Sequence, residues 1–289
     1  MKENKYGLIS GMDMKRPAAR AVYWILFAFC VFLVLICVIP PLYVILSSLK
    51  SDAEFNLTPP TIIPHTIELS KLKYIWENTN FGMAYVNSLI VIVGCVAATL
   101  VFNGMAGYTI SILKPKGYKF AFGIIMFSLM LPTVINVVPV LANLMSLNLI
   151  NSYIPLWLGF GCNAYQIILF KTFFDGISPS LIEASKLDGC NSIKTFTRVV
   201  LPMSKPIVMV ISILTINAAW SDFLMPFLVL KDDSMKTVMV KIYTMSQGLL
   251  YTPSQRMVAV LFAIVPPTII FCFFSKYFTE GVAIGSVKG

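Results

Sequence analysis

Charged residues fall along this chain in clusters, and the intervals between them are long and apolar. Ala21 to Leu49 carries no charge, nor does Asn78 to Leu113, nor Met257 to Ser275. Between Lys205 and Lys231 the only charge is Asp222, and Phe120 to Phe170 runs 51 residues without one. An α-helix crosses ~30 Å of hydrocarbon in about 20 residues. The longest run is therefore a hairpin, its turn belonging in the polar stretch Leu147-Asn148-Leu149-Ile150-Asn151-Ser152. Backbone groups in lipid must be bonded within their own segment, which makes such runs helices. The pattern predicts an all-α integral membrane protein with about six transmembrane helices, near 21–48, 85–111, 120–141, 153–174, 206–229 and 257–276. These make up a transmembrane domain over 21–279, flanked by tails 1–20 and 280–289. Pro40-Pro41 predicts a kink near the far end of the first span. No small-residue cleavage site follows a short apolar core, so that span reads as a retained helix and not a removed signal.

Composition agrees. The chain is 57% hydrophobic and 12% charged, about half the charge of a soluble domain, so much of its surface must face lipid or partner subunits. A net charge of +9 raises the question of nucleic acid, and the distribution of that charge answers it. With the N-terminus in the cytoplasm, fifteen of the 22 basic residues lie on the inner side, as the positive-inside rule requires. They are Lys2, Lys5, Lys15, Arg16, Arg20, then Lys114, Lys116, Lys119, then Lys171, Lys186, Lys194, Arg198, Lys205, and Lys276 and Lys288. The charge is topological, and no nucleic-acid partner is expected. Both termini are placed in the cytoplasm of a cell-membrane protein.

Two connections exceed what a simple turn needs, and loops of that size are usually functional. The outer one, about 50–83, contains Pro59-Pro60, Pro64 and an amphipathic piece from Ser70 to Glu77. The inner one spans 175–205. Within it Pro179 marks a helix start, Ser180 and Glu183 stand at capping-box spacing, and Gly189 suits the left-handed residue that ends a helix. A second short helix is expected from Ser192 until Leu201-Pro202 breaks it. Helix, sharp turn, helix, with Leu181, Ile182 and Leu187 as apolar contacts, suits docking against another protein.

The spacing Glu183-Ala184-Ser185, three residues, Gly189, nine residues, Val199, one residue, Leu201-Pro202 resembles the EAA loop of ABC-importer permeases. Ser185 stands for the second Ala of that pattern and Val199 for an Ile. The likeness extends through Pro41-Leu42-Tyr43, Ser48-Leu49-Lys50, Asn87-Ser88, Ala106-Gly107-Tyr108, Phe173-Phe174 and Lys276-Tyr277-Phe278 to the terminal Gly285-Ser286-Val287-Lys288-Gly289. Trp220-Ser221-Asp222-Phe223 stands where the family usually reads Trp-Asn-Asp-Phe. These motifs are similar to those of carbohydrate-importer permeases, in the second-permease branch of the maltose type. The resemblance implies a coupling helix seated in a separate ATPase, with Glu183, Ala184, Ser185, Leu187, Asp188, Gly189, Leu201 and Pro202 at the contact. It also implies ATP and Mg on that ATPase, a second homologous permease, an extracellular solute-binding protein meeting 50–83 and 231–255, and a carbohydrate cargo, most simply an oligosaccharide. For Glu183 helix capping alone is the competing role, and the two are compatible.

No cofactor is expected on this chain, and no enzymatic activity. It has no G-x-x-x-x-G-K-[ST] and no G-x-G-x-x-G opening a helix. His65 lacks companions, and the six cysteines form no CxxC pair, so no metal site is expected. Substrate-path candidates are Asn136, Asn163 and Gln166, whose amides can meet sugar hydroxyls, with Trp220 for stacking and Asp222 as the one carboxylate in an apolar run. Helix-to-helix hydrogen bonding is the alternative for the amides, and an interfacial role for Trp220 and Asp222. A different functional class, an ion-coupled secondary transporter of a small polar solute, would need paired intramembrane charges, and Asp222 alone supplies one.

Overall fold

A computed structural model describes residues 17–248 and 250–286, and the side chains of these except 133, 134 and 274–286. Most of the expected N-terminal tail lies outside the described residues, as do 287–289. Among the described residues the regular structure is all helical, with no strand. Three helices are long and apolar enough to cross a bilayer: Pro17–Leu49 (α1), Phe81–Leu113 (α4) and the Pro253–Phe273 part of the last helix. A bent pair, Ser192–Met203 (α10) and Lys205–Ser221 (α11), forms a fourth if taken as one span, with an 84° break at Ser204.

Spans three and four are predicted as unbroken helices, and the structure corrects both. Over the third, Tyr118–Ser128 (α5) stops before Pro132, a 3-10 turn covers Thr133–Asn136, and Val137–Ser146 (α6) resumes. Pro132 lacks an N–H and pushes Leu131 out of the helical region. Over the fourth, Ile154–Gly161 (α7) and Ala164–Phe174 (α8) are separated at Cys162-Asn163. The hairpin turn falls where expected, with Asn148 and Asn151 at positive φ of 52° and 62°. The fifth span also ends early: α11 stops at Ser221 and a separate short helix, Leu224–Val229 (α12), follows. The last helix, α14, runs Pro253–Ser286, and α1 runs unbroken through Pro40-Pro41.

The chain divides into two compact units. The smaller comprises 1–72 and 252–261. It contains α1, Asp52–Phe55 (α2) and the outer segment leading to Ser70–Asn78 (α3). In α1 the most apolar window buries nothing, so lipid or another subunit must cover it. The end of α1 is different. Lys50 is 2% exposed and its ammonium donates to the Thr61 carbonyl. Lys71, also buried, donates to the Lys50 carbonyl and to Ser254 Oγ at 3.0 Å. Burial pushes the Lys71 ammonium below its ordinary range, against the opposing pull of Asp52 and Glu68. Asp52 accepts from Thr252 Oγ1 at 2.8 Å and from Ser254 Oγ. Glu54 collects the His65 N–H at 2.9 Å and the Thr61 hydroxyl at 2.9 Å. Basic residues that sequence places as mere outer-loop charges thus form, with these carboxylates, the polar heart of this unit.

That arrangement predicts a pH response. The His65 N–H holds the Glu54 carboxylate below its usual pKa, against the effect of burial, with help from Thr61 and Thr66. A depressed folded-state pKa means the anchor is fully present above the unfolded carboxylate pKa of about 4.3. It is lost as pH falls through the depressed value. Protease cleavage within 56–69 is expected to rise steeply only below about pH 4, and Glu54→Gln should raise it at neutral pH. Unchanged cleavage in Glu54→Gln would remove this role.

In the larger unit, 73–251 and 262–289, α4 is the central rod, packing on α7, α8, α11 and Val238–Gln247 (α13). Close approach depends on small residues, as in membrane helix packing generally. A Cβ on Gly107 would stand 2.7 Å from Phe170 Cβ and 3.1 Å from Lys171 N. One on Gly94 would enter the Trp157 indole. Asn87 and Ser88, beside each other on α4, hold the segment before α13. Asn87 Nδ2 donates to the Ser234 and Lys236 carbonyls at 2.7 and 3.0 Å, and Ser88 Oγ accepts the Val238 N–H at 3.0 Å. Val238 opens α13, so Ser88 satisfies one of the donors a helix start leaves unbonded.

Candidate coupling face and polar interior

Pro179–Leu187 (α9) and α10 form a helical hairpin whose local geometry follows from its sequence. Pro179 takes the first helical position. The cap is Ser178, not Ser180: its hydroxyl makes no bond to the backbone and lies 2.7 Å from Ser180 Oγ. The expected capping box does not form, and Glu183 is exposed. At the other end Gly189 has φ +74°. Its N–H donates to the Lys186 carbonyl at 3.0 Å, and the Cys190 N–H to the Ser185 carbonyl at 3.0 Å. These two bonds are the Schellman closure that needs a left-handed residue. Asn191 Oδ1 then caps α10 by accepting the Lys194 N–H at 2.9 Å.

The expected break of α10 at Leu201-Pro202 is displaced to Ser204. The helix widens into a π turn over Phe196–Val200, and Leu201 N–H bonds back to the Phe196 carbonyl. This i→i−5 bond is the widened turn, immediately before Pro202, which has no N–H to give. Ser204 Oγ donates to the Val200 carbonyl at 2.6 Å and the chain turns into α11.

The hairpin has a fastened root and a bare tip. Ile182, Phe196 and Val200 are buried in one cluster with Tyr108 of α4, Phe170 and Phe174 of α8 and Ile211 of α11, and Leu201 packs against it. Ser185 faces inward, 4% exposed, and its hydroxyl lies 3.1 Å from Thr195 Oγ1, joining the two helices. The Ser at the family's Ala position therefore works inside the hairpin and not on its outer surface. Glu183, Ala184, Asp188 and Pro202 are exposed, and Leu187 is 89% exposed. Beside the root, a cleft of about 560 Å³ is lined by Lys114, Tyr118, Asp175, Glu183 and Lys186 among others. Burial pushes the Asp175 carboxyl up, but the Lys171 ammonium at 2.6 Å and the Ser111 hydroxyl at 2.7 Å outweigh it and hold the pKa below the usual range.

The five substrate-path candidates part company. Asn163 caps α8, its Oδ1 accepting the Gln166 N–H at 3.1 Å, and its own N–H donates to Asn103 Oδ1 at 3.1 Å. Gln166 is buried. Its Oε1 accepts from Asn103 Nδ2 at 2.9 Å and its Nε2 donates to Thr215 Oγ1 at 2.9 Å. Asn103 Nδ2 also reaches the Phe160 carbonyl at 2.8 Å. The amides thus satisfy the broken backbone between α7 and α8, the condition on which irregular backbone survives at membrane depth. Asn136 is exposed beside the α6 start. Asp222 sits in the gap after α11, and its Oδ1 accepts the Met225 N–H of α12 at 3.4 Å.

Trp220 is 6% exposed, and its indole N–H donates to the Ala263 carbonyl at 3.2 Å. The cause lies in Pro266-Pro267 within α14. A proline lacks the donor for the carbonyl four residues before it, so Pro266 orphans Phe262 and Pro267 orphans Ala263. Tyr85 Oη donates to Phe262 at 2.5 Å, Trp220 to Ala263, and the two rings pack 5.8 Å apart. Sequence reasoning missed Tyr85, although the tandem proline was a signal that two donors must come from elsewhere. Trp220→Phe is expected to destabilise the folded protein by about 1–3 kcal/mol by orphaning that carbonyl. Pro267→Ala in the same chain, which restores an N–H, should recover most of the loss. Thermal unfolding of the two variants checks this, and failure of the second change to rescue would reject it.

The comparisons with known proteins cover this whole arrangement. Residues 91–283 match the family model described as "binding-protein-dependent transport system inner membrane component". The arabinooligosaccharides transport system permease protein AraQ of Halalkalibacterium halodurans is 30% identical over 284 residues, 96% of this chain and 100% of that one. The polygalacturonan/rhamnogalacturonan transport system permease protein YtcP of Bacillus subtilis is 27% identical, covering 92% and 97%. Among solved structures, a chain of a bacterial ABC transporter involved in the import of the acidic polysaccharide alginate superposes with a TM-score of 0.80. It is 22% identical, over 91% of this chain and 98% of that one, and shares the fold. With a family model spanning two thirds of its length and a relative matched from end to end, the chain belongs to the inner-membrane permease components of binding-protein-dependent ABC transport systems.

Proposed function

We propose that this chain is the permease subunit through which an ATP-driven importer moves a carbohydrate, most simply an oligosaccharide, across the cell membrane. The observation that carries the reading is the α9–α10 hairpin: an 89%-exposed Leu187 at its tip and a root buried against three other helices. An exposed tip and a root that cannot move alone make a lever. A separate ATPase, holding ATP and Mg, grips the tip through Glu183, Ala184, Leu187 and Asp188. Gly189 sets the turn, and Ser185, Leu201 and Pro202 keep the lever stiff. When the ATPase pair closes, the displacement passes through Ile182, Phe196 and Val200 to Tyr108, Phe170 and Ile211, and so to α4, α8 and α11. The spans then turn from inward-facing to outward-facing.

In this reading the hairpin and both termini are cytoplasmic, a second homologous permease completes the path, and an extracellular solute-binding protein meets 50–83 and 231–255. The carbohydrate assignment rests on the named cargoes of the similar permeases together with the sugar-permease motifs of the sequence. The ion-coupled alternative gains nothing from the structure, since Asp222 accepts the Met225 N–H of α12 and forms no ion pair among the described residues. Uptake into vesicles carrying the complete transporter tests the choice. It is expected to stop when the ATPase is removed and to persist when proton and sodium gradients are collapsed. The reverse pattern would sink the proposal.

A further inference from the structure

Between α11 and the second half of α14 lies a cavity of about 200 Å³, walled by Ile213, Trp220, Pro267, Ile270 and Phe271, into which Asn217 opens. Asn217 is exposed in an apolar helix twelve residues from Lys205, or about 18 Å along its axis. It makes no hydrogen bond among the described residues, whereas Asn163, Gln166, Asn103 and Asn87 all do. An amide that finds no partner at that depth costs free energy unless water, a neighbour or cargo meets it. Trp220, one turn further along, has its N–H committed to Ala263, so the indole is held in one orientation and offers only its carbon surface.

We propose that this cavity is a cargo subsite for a neutral glycosyl unit, with Asn217 bonding hydroxyls and the wall of Trp220, Pro267 and Phe271 taking the C–H face. This deepens the carbohydrate reading and rests on it. At ~30 Å³ per liquid water the space equals about seven waters, the scale of one sugar ring. An apolar wall with one or two placed polar groups is the usual make-up of a small-molecule site. The charge pattern sets the class. Among the described residues no Lys or Arg lines the cavity, so a uronate carboxylate entering it would lose its hydration with nothing there in return. A neutral ring brings hydroxyls that one amide can both donate to and accept from.

The test uses the complete transporter with its partner subunits and binding protein. Asn217→Cys is placed in a chain whose six native cysteines are replaced by serine, and a cationic methanethiosulfonate probes it. The introduced thiol is expected to react, to react more slowly while neutral arabino-oligosaccharides are transported, and to be indifferent to acidic oligogalacturonides. Asn217→Leu should reduce neutral-sugar uptake about tenfold, the equivalent of one hydrogen bond, with binding-protein-stimulated ATP hydrolysis retained as evidence of intact folding and coupling. A thiol at this position that is unreactive in both nucleotide-free and vanadate-trapped states would mean that another subunit covers it, and the subsite is overturned. Import of acidic oligosaccharides alone overturns the neutral class while leaving the carbohydrate importer standing. A wild-type complex that hydrolyses ATP yet moves neither class removes the carbohydrate reading itself, and this inference with it.

Discussion

Leu187→Asp is expected to cut ATP-driven uptake at least ~30-fold, the loss that corresponds to removing one interface hot spot of about 2 kcal/mol, while the protein still folds and inserts. Leu187 is the most exposed large apolar side chain on α9. Exposed substitutions of this kind usually change stability by less than about 0.5 kcal/mol, so the whole effect would lie in the contact with the motor. In the proposed reading the ATPase covers this side chain, and a carboxylate there would have to shed its water on docking. Two measurements separate coupling from damage. The ATPase should co-purify poorly with the variant, and the melting temperature of the purified permease should hardly move. Ser185→Ala serves as contrast, because Ser185 faces inward to Thr195 and its loss should leave uptake largely intact. Uptake at the wild-type level in Leu187→Asp would show that the hairpin tip is not the handle.

Gly107→Val should be the most damaging single change to the fold, destabilising it by about 3 kcal/mol or more. Already a Cβ at this position would meet Phe170 Cβ at 2.7 Å, Lys171 N at 3.1 Å and the Ile167 carbonyl at 3.2 Å. Two of these three atoms are backbone and the third is the stem of a buried ring, so none can swing aside. Relief requires α4 and α8 to separate, and that separation opens the cluster of Tyr108, Phe170, Phe174, Phe196 and Val200. Transport would then fall through two routes, lower abundance and a lever no longer fastened to its spans. Gly123→Val is the matched control, since nothing lies within 4 Å of a Cβ there. Equal melting temperatures for the two variants would discard the close-packing argument.

How far the sequence carries can be judged from particular elements. The α9–α10 hairpin was legible because its determinants are local. Pro179 and Gly189 act on their own backbone, and each is found doing so. The capping box failed by two residues because Ser178 and Ser180 compete for one helix start and Pro179 prefers to be first. For the path amides the sequence leaves two roles open, because an Asn or Gln in an apolar run signals only that a partner exists. It does not say whether the partner is cargo or backbone. Asn163 serves the break at Cys162-Asn163 directly, and Gln166 braces Asn103, which bonds the same break. Asn217, in a run no less apolar, makes no hydrogen bond among the described residues.

From the order of residues alone came the membrane class, the helical character, the number and rough limits of the apolar runs, the hairpin and its family. Each depends on charge spacing or on contacts closer than about one helical turn, where chain geometry leaves little choice. The tertiary structure decided which runs stay whole, which amides are spent on backbone, and which carbonyls freed by Pro266-Pro267 are met by Tyr85 and Trp220. Tyr85 and Phe262 are 177 positions apart. Bonds of that kind are set by how helices pack against one another, and nothing in the local run of side chains records the distance between two helices.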